Sequence, residues 1–365
     1  MRSALAAVIV VASLLAGCAA PSAPGLTIEQ ARAKVAAKLP EKLADRAGWA
    51  ADIHAAMESL RVELTEGNIC AVVAVTEQES GFQVDPVVPN LAQAAWKEIE
   101  TQRERAGIPS LALQAALSLS STTGRSYRER IDAARTEREL SDIFEDFIGR
   151  VPLGRTFLED RNPIRTAGPM QVSVAFARDF AGSTKYPYPM QGSIRDELFS
   201  RRGGMYFGIA HLLAYEAPYD RYVYRFADFN AGWYASRNAA FQRALAAVTG
   251  RKLAFDGALL RYEKGAPAAA PSATEQAARE LAPRLGLSET QVRASLERGR
   301  TRELEETALY RRVFELAAER GGNVAHASIP QIELHSVKIT RPLTTEWFAS
   351  RVADRHRRCM TRGGG

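Results

Sequence analysis

The chain has 365 residues with a formal net charge of +6, since 48 Lys and Arg outnumber 42 Asp and Glu. The length supports one large domain or two, and the basic excess suits an anionic polymer or an anionic lipid. The sequence has no zinc-finger spacing, no aromatic-basic ribonucleoprotein motif and no phosphate-binding Gly-rich loop, so we expect no nucleic acid partner, no metal and no cofactor.

The N-terminus predicts export. Arg2 precedes an apolar run over residues 4–15, which leads into Leu14-Leu15-Ala16-Gly17-Cys18. A basic start, a short apolar stretch and a small-residue cleavage site are typical of a signal peptide. The arrangement resembles a bacterial lipoprotein signal, which implies a signal peptide over 1–17, lipidation of Cys18 and a tether over 18–26. We therefore expect an outer-membrane lipoprotein that faces the periplasm, the alternative being a secretory signal with a chance cysteine.

The remaining chain is predicted to be mainly helical. Thr27-Ile28-Glu29-Gln30 is a capping box that starts a helix reaching about Leu39. Residues 69–75 are ambiguous, because their Val and Ile content favours a strand whereas the continuation into 76–79 favours a fully buried helix. Apolar periodicity predicts further helices over 48–62, 91–105, 111–119, 137–148, 174–180 and 194–215, the last interrupted at Gly203-Gly204.

The C-terminal part is also predicted to be helical. A helix is expected to begin at Arg221 and to carry Phe226, Phe229, Trp233 and Phe241, and residues 265–271 are typical of a linker or loop. Capping boxes at 272–275 and 288–291 start further helices. A strand is predicted near 332–339, and a last helix is predicted to begin near Thr345.

Two cysteines remain once Cys18 is lipidated. Cys70 and Cys359 would both face an oxidising compartment and could form one disulfide. Sequence spacing does not fix the Cα separation that a disulfide needs, so two separate thiols remain the alternative.

Glu79 is the candidate catalytic acid. It lies in Gln78-Glu79-Ser80-Gly81-Phe82, directly behind the apolar run 69–75. A carboxylate that emerges from an apolar segment is poorly hydrated, which raises its pKa as a general acid requires. The alternative is a solvated helix end. Glu77 competes with Glu79, but residues two positions apart on a helix point to opposite sides.

Three short motifs occur in a fixed order, namely Glu79-Ser80-Gly81-Phe82, Gly168-Pro169-Met170-Gln171-Val172 and Phe229-Asn230-Ala231-Gly232. Together they resemble the motifs of the soluble lytic transglycosylases, members of the lysozyme-like superfamily, over about residues 65–245. The resemblance implies a lysozyme-like domain over 27–264 with an insertion over about 88–160, followed by the linker and a helical C-terminal extension over 272–365. Segments 226–232 and 344–348 also resemble a family of proteobacterial lipoproteins of unassigned function.

The transglycosylase resemblance implies a role for each motif residue. Glu79 would be the single acid and base, Ser80 would orient it or contact the sugar, and Met170 would line the cleft. Gln171 would hydrogen-bond the glycan, and Asn230 would lie across the cleft from Glu79. The implied reaction cleaves the MurNAc-GlcNAc bond of peptidoglycan and leaves 1,6-anhydro ends. The expected partners are peptidoglycan glycan strands and the membrane, and the sequence does not identify any protein partner.

Two alternatives remain open. A hydrolase of the same bond would need a second carboxylate, for which Asp85, Glu159, Asp160 and Asp228 are the candidates because each lies next to a motif. A catalytically inactive scaffold that binds glycan is the other alternative, because Phe229 stands where the family has a tyrosine. Tyr222, Tyr224 and Tyr234 are the residues that could supply the missing hydroxyl.

Overall fold

The structure is a computed structural model that describes residues 26–150, 158, 161–190, 192–263, 265–321, 324–334 and 342–363. The predicted signal peptide over 1–17, the lipidation site Cys18 and most of the tether lie outside these residues. Within the described ranges, every helix is too short or too polar to cross a bilayer.

The prediction of a mainly helical chain is confirmed, and helix α4 has the predicted bounds. Helices of the first part lie between the N-terminus and the second motif. They are α1 (Ile28–Lys38), α2 (Arg46–Ser59), α3 (Glu66–Glu79), α4 (Leu91–Arg105), α5 (Ser110–Leu117), α6 (Tyr127–Ala133) and α7 (Glu137–Arg150). The segment predicted as an insertion therefore contains α4 to α7.

The second part alternates short two-stranded sheets with helices, and each sheet is antiparallel. The strands pair as β1 (Thr166–Ala167) with β2 (Val172–Ser173), β3 (Tyr262–Glu263) with β4 (Ala266–Pro267), and β5 (Glu333–Leu334) with β6 (Leu343–Thr344). The helices are α8 (Val174–Ser183), α9 (Ile194–Leu198), α10 (Arg201–Leu213), α11 (Tyr222–Ala231), α12 (Ala235–Thr249), α13 (Ala273–Leu285), α14 (Glu289–Glu297), α15 (Ala308–Glu319) and α16 (Thr345–Met360).

Helix α3 resolves the ambiguity of the apolar run. Thr65 caps it by accepting a hydrogen bond from Asn68 N at 3.1 Å, and residues 69–76 are all buried. A helix that is apolar on every side is stable only at the centre of a core, and its neighbours α1, α10 and α16 supply that cover. Burial on all sides, rather than strand pairing, explains the high Val and Ile content.

The predicted helix over 194–215 is two helices, which corrects the sequence interpretation. The side chain of Ser200 accepts a hydrogen bond from Gly203 N at 3.0 Å and so caps α10. The break falls between α9 and α10 because an N-cap residue leaves the helical conformation. Gly203 and Gly204 therefore lie in the first turn of α10, not at an interruption.

The helix predicted from Arg221 is also divided. Gly232 has a φ of 104° and ends α11, since this left-handed region favours glycine. Trp233 consequently lies in the following turn, and Phe241 lies on α12.

Two hydrophobic cores organise the chain. The N-terminal core contains side chains from α1 to α3, from the inserted helices and from α8 to α11, among them Ile53, Val72, Phe207 and Phe226. The second core is formed by α12 to α15 and includes Phe241 and Val313. Helix α12 had been assigned to the lysozyme-like domain over 27–264, but its apolar face belongs to the second core.

The last helix does not belong to the extension predicted over 272–365. Phe348, Val352 and Cys359 of α16 are buried in the N-terminal core, where α16 packs against α3 and α11. Cys359 forms a disulfide with Cys70 of α3, with their Cα atoms 5.4 Å apart. The chain therefore returns to the helix that carries Glu79 after completing the second core.

Candidate active site

Glu79 is the last residue of α3. The helix ends there because Ser80 leaves helical geometry and Gly81 and Phe82 have φ values of 59° and 64°. The Phe82 ring is 7% exposed and makes an edge contact with Trp49 at a centroid distance of 5.2 Å. Phe82 therefore packs the segment after the helix against α2, next to Glu79.

A cleft of about 1930 Å³ brings the three motifs together. Glu79, Gln171 and Asn230 all line it, although they are distant in sequence. Residues of helices α4 to α7 also line the cleft, so the predicted insertion contributes to its wall. The residues named from sequence for catalysis and for two of the sugar contacts thus share one surface.

Gln171 lies at the end of the turn that joins β1 to β2. The turn requires left-handed backbone at Gly168, where φ is 76°, and at Gln171, where φ is 51°. A Cβ atom on Gly168 would lie 2.2 Å from the Leu198 carbonyl oxygen, so only glycine permits this approach to α9. The Gln171 side chain is held by Thr166 Oγ1, which donates to Oε1 at 3.1 Å, and by its own donation to Gly168 O at 3.3 Å.

Met170 does not line the cleft, which corrects its expected role. It is fully buried in the N-terminal core and lies against Gly208 of α10, where a Cβ atom would be 2.3 Å from Met170 Sδ. Pro169 packs in the same way against Gly204, where a Cβ atom would lie 2.4 Å from Pro169 Cδ. The motif therefore docks its hairpin onto α10 through these two side chains and presents Gln171 to the cleft.

Ser80 has a local partner instead of a place in the cleft. Its hydroxyl donates to Thr76 O at 3.3 Å, and Ser80 is not among the described residues that line the cleft. The expected sugar contact is therefore corrected to a helix-ending role, because a serine hydroxyl readily bonds the carbonyl one turn earlier.

Asn230 is exposed near the end of α11. Its Oδ1 accepts a hydrogen bond from Thr345 Oγ1 at 2.6 Å, so the first residue of α16 orients the amide. Trp347 of the same helix also lines the cleft. The third motif is therefore supported by the C-terminal end of the chain, a contribution that the sequence did not predict.

Glu77 and Glu79 diverge as their spacing predicts. Glu77 Oε1 accepts from Arg362 Nη2 at 3.4 Å, which places Glu77 beside the C-terminal segment. Of these two carboxylates, Glu79 lines the cleft.

Asp228 is unsuitable as a second carboxylate. It is fully buried, its Oδ2 accepts from Tyr215 at 3.0 Å and from Tyr219 at 2.7 Å, and its Oδ1 accepts from Ser236 N at 2.6 Å. Burial raises the pKa of Asp228 to about 6 despite these hydrogen bonds. Its contacts hold the α11–α12 corner. Asp85 is not among the described residues of the cleft wall, and Glu159 and Asp160 lie outside the described residues.

The tyrosines proposed as substitutes lie elsewhere. Tyr222 donates to Asn68 Oδ1 at 2.9 Å and Tyr234 donates to Glu216 O at 3.2 Å. Like Tyr224, they are not among the described cleft residues. The Phe229 ring, which is 8% exposed, instead contacts an imidazole, that of His211, at a centroid distance of 4.9 Å.

His211 is a cleft residue that sequence reasoning missed. It lines the same cleft as Glu79, and burial lowers its pKa to about 4. The available signal in the sequence was a single histidine within an otherwise apolar helix segment. A histidine that only fills space in the core shows the same pattern, so the signal does not distinguish the two. The cleft wall therefore carries the carboxyl groups of Glu79, Glu98, Glu137 and Glu333, several amides including those of Gln171 and Asn230, and a neutral imidazole. No cluster of His, Cys, Asp and Glu that could hold a metal ion occurs among the residues described.

Comparisons with known proteins place the chain in a family. Residues 42–362 match the model of a family described as protein of unknown function (DUF1615). The chain is 47% identical over 352 residues to the uncharacterized protein YaiW of Escherichia coli strain K12, a match that covers 95% of each chain. No solved structure matches. Because the family model spans most of the sequence, the chain belongs to the DUF1615 family.

Proposed function

We propose that the protein is a lytic transglycosylase that cleaves the MurNAc-GlcNAc bond of peptidoglycan, with Glu79 as its single acid and base. The observation that carries the proposal is the convergence of Glu79, Gln171 and Asn230 on one cleft. The proposal includes a lysozyme-like arrangement of the helices around that cleft. Its supporting features are the motif order and the position of Glu79 at the end of a buried helix.

The proposed reaction needs one carboxyl group. Protonated Glu79 gives its proton to the glycosidic oxygen as the bond from that oxygen to C1 breaks, and the substrate acetamido oxygen bonds to C1. The Glu79 carboxylate then takes the proton of the C6 hydroxyl, whose oxygen displaces the acetamido oxygen from C1. The product is a 1,6-anhydro ring, no water is consumed, and Glu79 is again protonated.

The test is digestion of purified peptidoglycan with the parent and with Glu79→Gln, followed by mass spectrometry of the fragments. We expect anhydro ends from the parent and at least a hundredfold loss in the variant, the order of general acid catalysis. Glu77→Gln is the matched control, since this neighbour lies outside the cleft wall and should retain activity. Reducing ends would instead indicate a hydrolase.

An inactive glycan-binding scaffold is the second candidate, and the Phe229 ring favours it because this ring brings no hydroxyl to the cleft. Binding of wall fragments by both parent and Glu79→Gln, with no cleavage by either, would support this candidate and would refute the catalytic role of Glu79.

We further propose that the protein is an outer-membrane lipoprotein held by Cys18 and facing the periplasm. Labelled palmitate should enter the parent and be absent from Cys18→Ser, which should also leave the membrane fraction. Retention of label in Cys18→Ser would refute the anchor.

A further inference from the structure

His211 occupies a position that an apolar side chain would fill more easily. It lies on α10 between the rings of Phe176 and Phe229, with centroid distances of 4.4 Å and 4.9 Å. Trp233 Nε1 donates a hydrogen bond to the His211 carbonyl oxygen at 2.7 Å. The Trp233 ring also contacts the Phe176 ring, at a centroid distance of 5.4 Å. Aromatic residues from three segments thus fix both the backbone and the ring of His211.

The two imidazole nitrogens have different surroundings. Nδ1 is buried and has no hydrogen-bond partner among the described residues. His211 is half-buried and lines the cleft, and Nδ1 is its buried nitrogen, so Nε2 is the nitrogen left for a ligand in the cleft. A buried polar atom without a partner destabilises the folded state, so packing alone gives no reason for a histidine here.

The buried nitrogen also favours one tautomer. Burial lowers the pKa of His211 to about 4, so the ring is neutral near pH 7 and carries one N–H. Buried N–H groups without a hydrogen-bond partner are rarer in proteins than buried acceptors without one. Nδ1 is therefore expected to be the unprotonated nitrogen, and the proton is expected on Nε2. His211 therefore presents a neutral donor to the cleft.

We infer that His211 is a substrate-contacting residue that donates its Nε2 proton to an acceptor oxygen of an N-acetylated sugar. This inference rests on the proposed glycan-binding function of the cleft. The acetamido carbonyl and the hydroxyl oxygens of such a sugar are acceptors of this kind, and Phe229 beside His211 lines the same cleft. A neutral donor binds an uncharged sugar without the desolvation cost of a charge.

The test measures binding of tetra-N-acetylchitotetraose by calorimetry in the Glu79→Gln background, so that cleavage does not interfere. His211→Phe keeps a ring between the aromatic residues but removes the donor. We expect its Kd to rise about three- to tenfold, the range of one neutral hydrogen bond. His211→Gln, which retains a donor, should recover part of the affinity. His54→Phe on α2 is the matched control and should bind as the parent does.

Nitrogen-15 NMR of the histidine rings gives a second readout. The parent should show the Nε2–H tautomer for His211, and its Nε2 signal should move on saturation with the tetrasaccharide while that of His54 stays. An unchanged Kd for His211→Phe, or a Nδ1–H tautomer, would overturn the inference and leave the glycan cleft standing. Failure of the parent to bind the tetrasaccharide would overturn both. A lower melting temperature of His211→Phe would reveal a structural role instead.

Discussion

The disulfide between Cys70 and Cys359 should contribute a large part of the free energy of unfolding. It closes a loop with a sequence separation of 289 residues. The chain-entropy relation for a loop of this length gives about 5–6 kcal/mol of stabilisation, acting on the unfolded state. Typical domains have about 5–15 kcal/mol in total, so the loss on removing the bond is a substantial fraction.

Local contacts at α16 should survive the loss of the bond. Lys38 Nζ donates to Arg362 O at 2.6 Å, and the His356 ring lies 3.1 Å from Gly67 O. We therefore expect the folded structure to persist in native buffer while its resistance to denaturant falls.

The experiment is urea unfolding of Cys18→Ser and of the triple variant that also carries Cys70→Ala and Cys359→Ala. The extrapolated free energy should drop by about 5 kcal/mol, and the slope m should rise because the unfolded chain expands. Cys18→Ser unfolded without reductant should show no free thiol. Two free thiols in that control, or a loss below about 1 kcal/mol, would refute the reasoning.

Two further predictions concern packing and pH. Gly208→Ala should lower the free energy of unfolding by about 1–3 kcal/mol in the same urea assay, because the added Cβ would meet Met170 Sδ. Gly182→Ala is the control: its Cβ would meet nothing within 4 Å, so the free energy of unfolding should rise by up to about 1 kcal/mol. Equal effects of the two substitutions would contradict this packing. The pKa of His211 falls from 6.5 to about 4 and that of Asp228 rises from 3.8 to about 6. Between about pH 4 and 6.5 the unfolded chain binds more protons at His211, so this residue makes stability rise with pH by roughly 3 kcal/mol. Between about pH 4 and 6 the folded chain binds more protons at Asp228, so this residue makes stability fall with pH by roughly 3 kcal/mol. Relative to the parent, His211→Phe should therefore lose stability as the pH rises from 4 to 6, and Asp228→Asn should gain stability over the same range. Parallel pH curves for all three proteins would contradict the two shifts.

Local sequence patterns predicted much of the secondary structure correctly. The capping box at Thr27 forms with Gln30 as predicted, and helix α4 has the predicted bounds Leu91–Arg105. These features depend on residues a few positions apart, so sequence periodicity reports them directly.

Distant contacts were the part that local patterns could not predict. Met170 is buried because Gly208 leaves room for it, and Asn230 is oriented by Thr345 from the other end of the chain. The role proposed for His211 depends on which of its nitrogens is buried, and that depends on tertiary packing around the ring, including Phe176 and Phe229.

The return of α16 to the first core has a consequence for synthesis. A growing chain contains Glu79 early, yet Thr345 and Trp347, which complete the cleft around Asn230, are added near the end. The cleft can therefore be complete only after Thr345 and Trp347 have been added. A molecule that stops before these residues would carry Glu79 without the complete cleft around it.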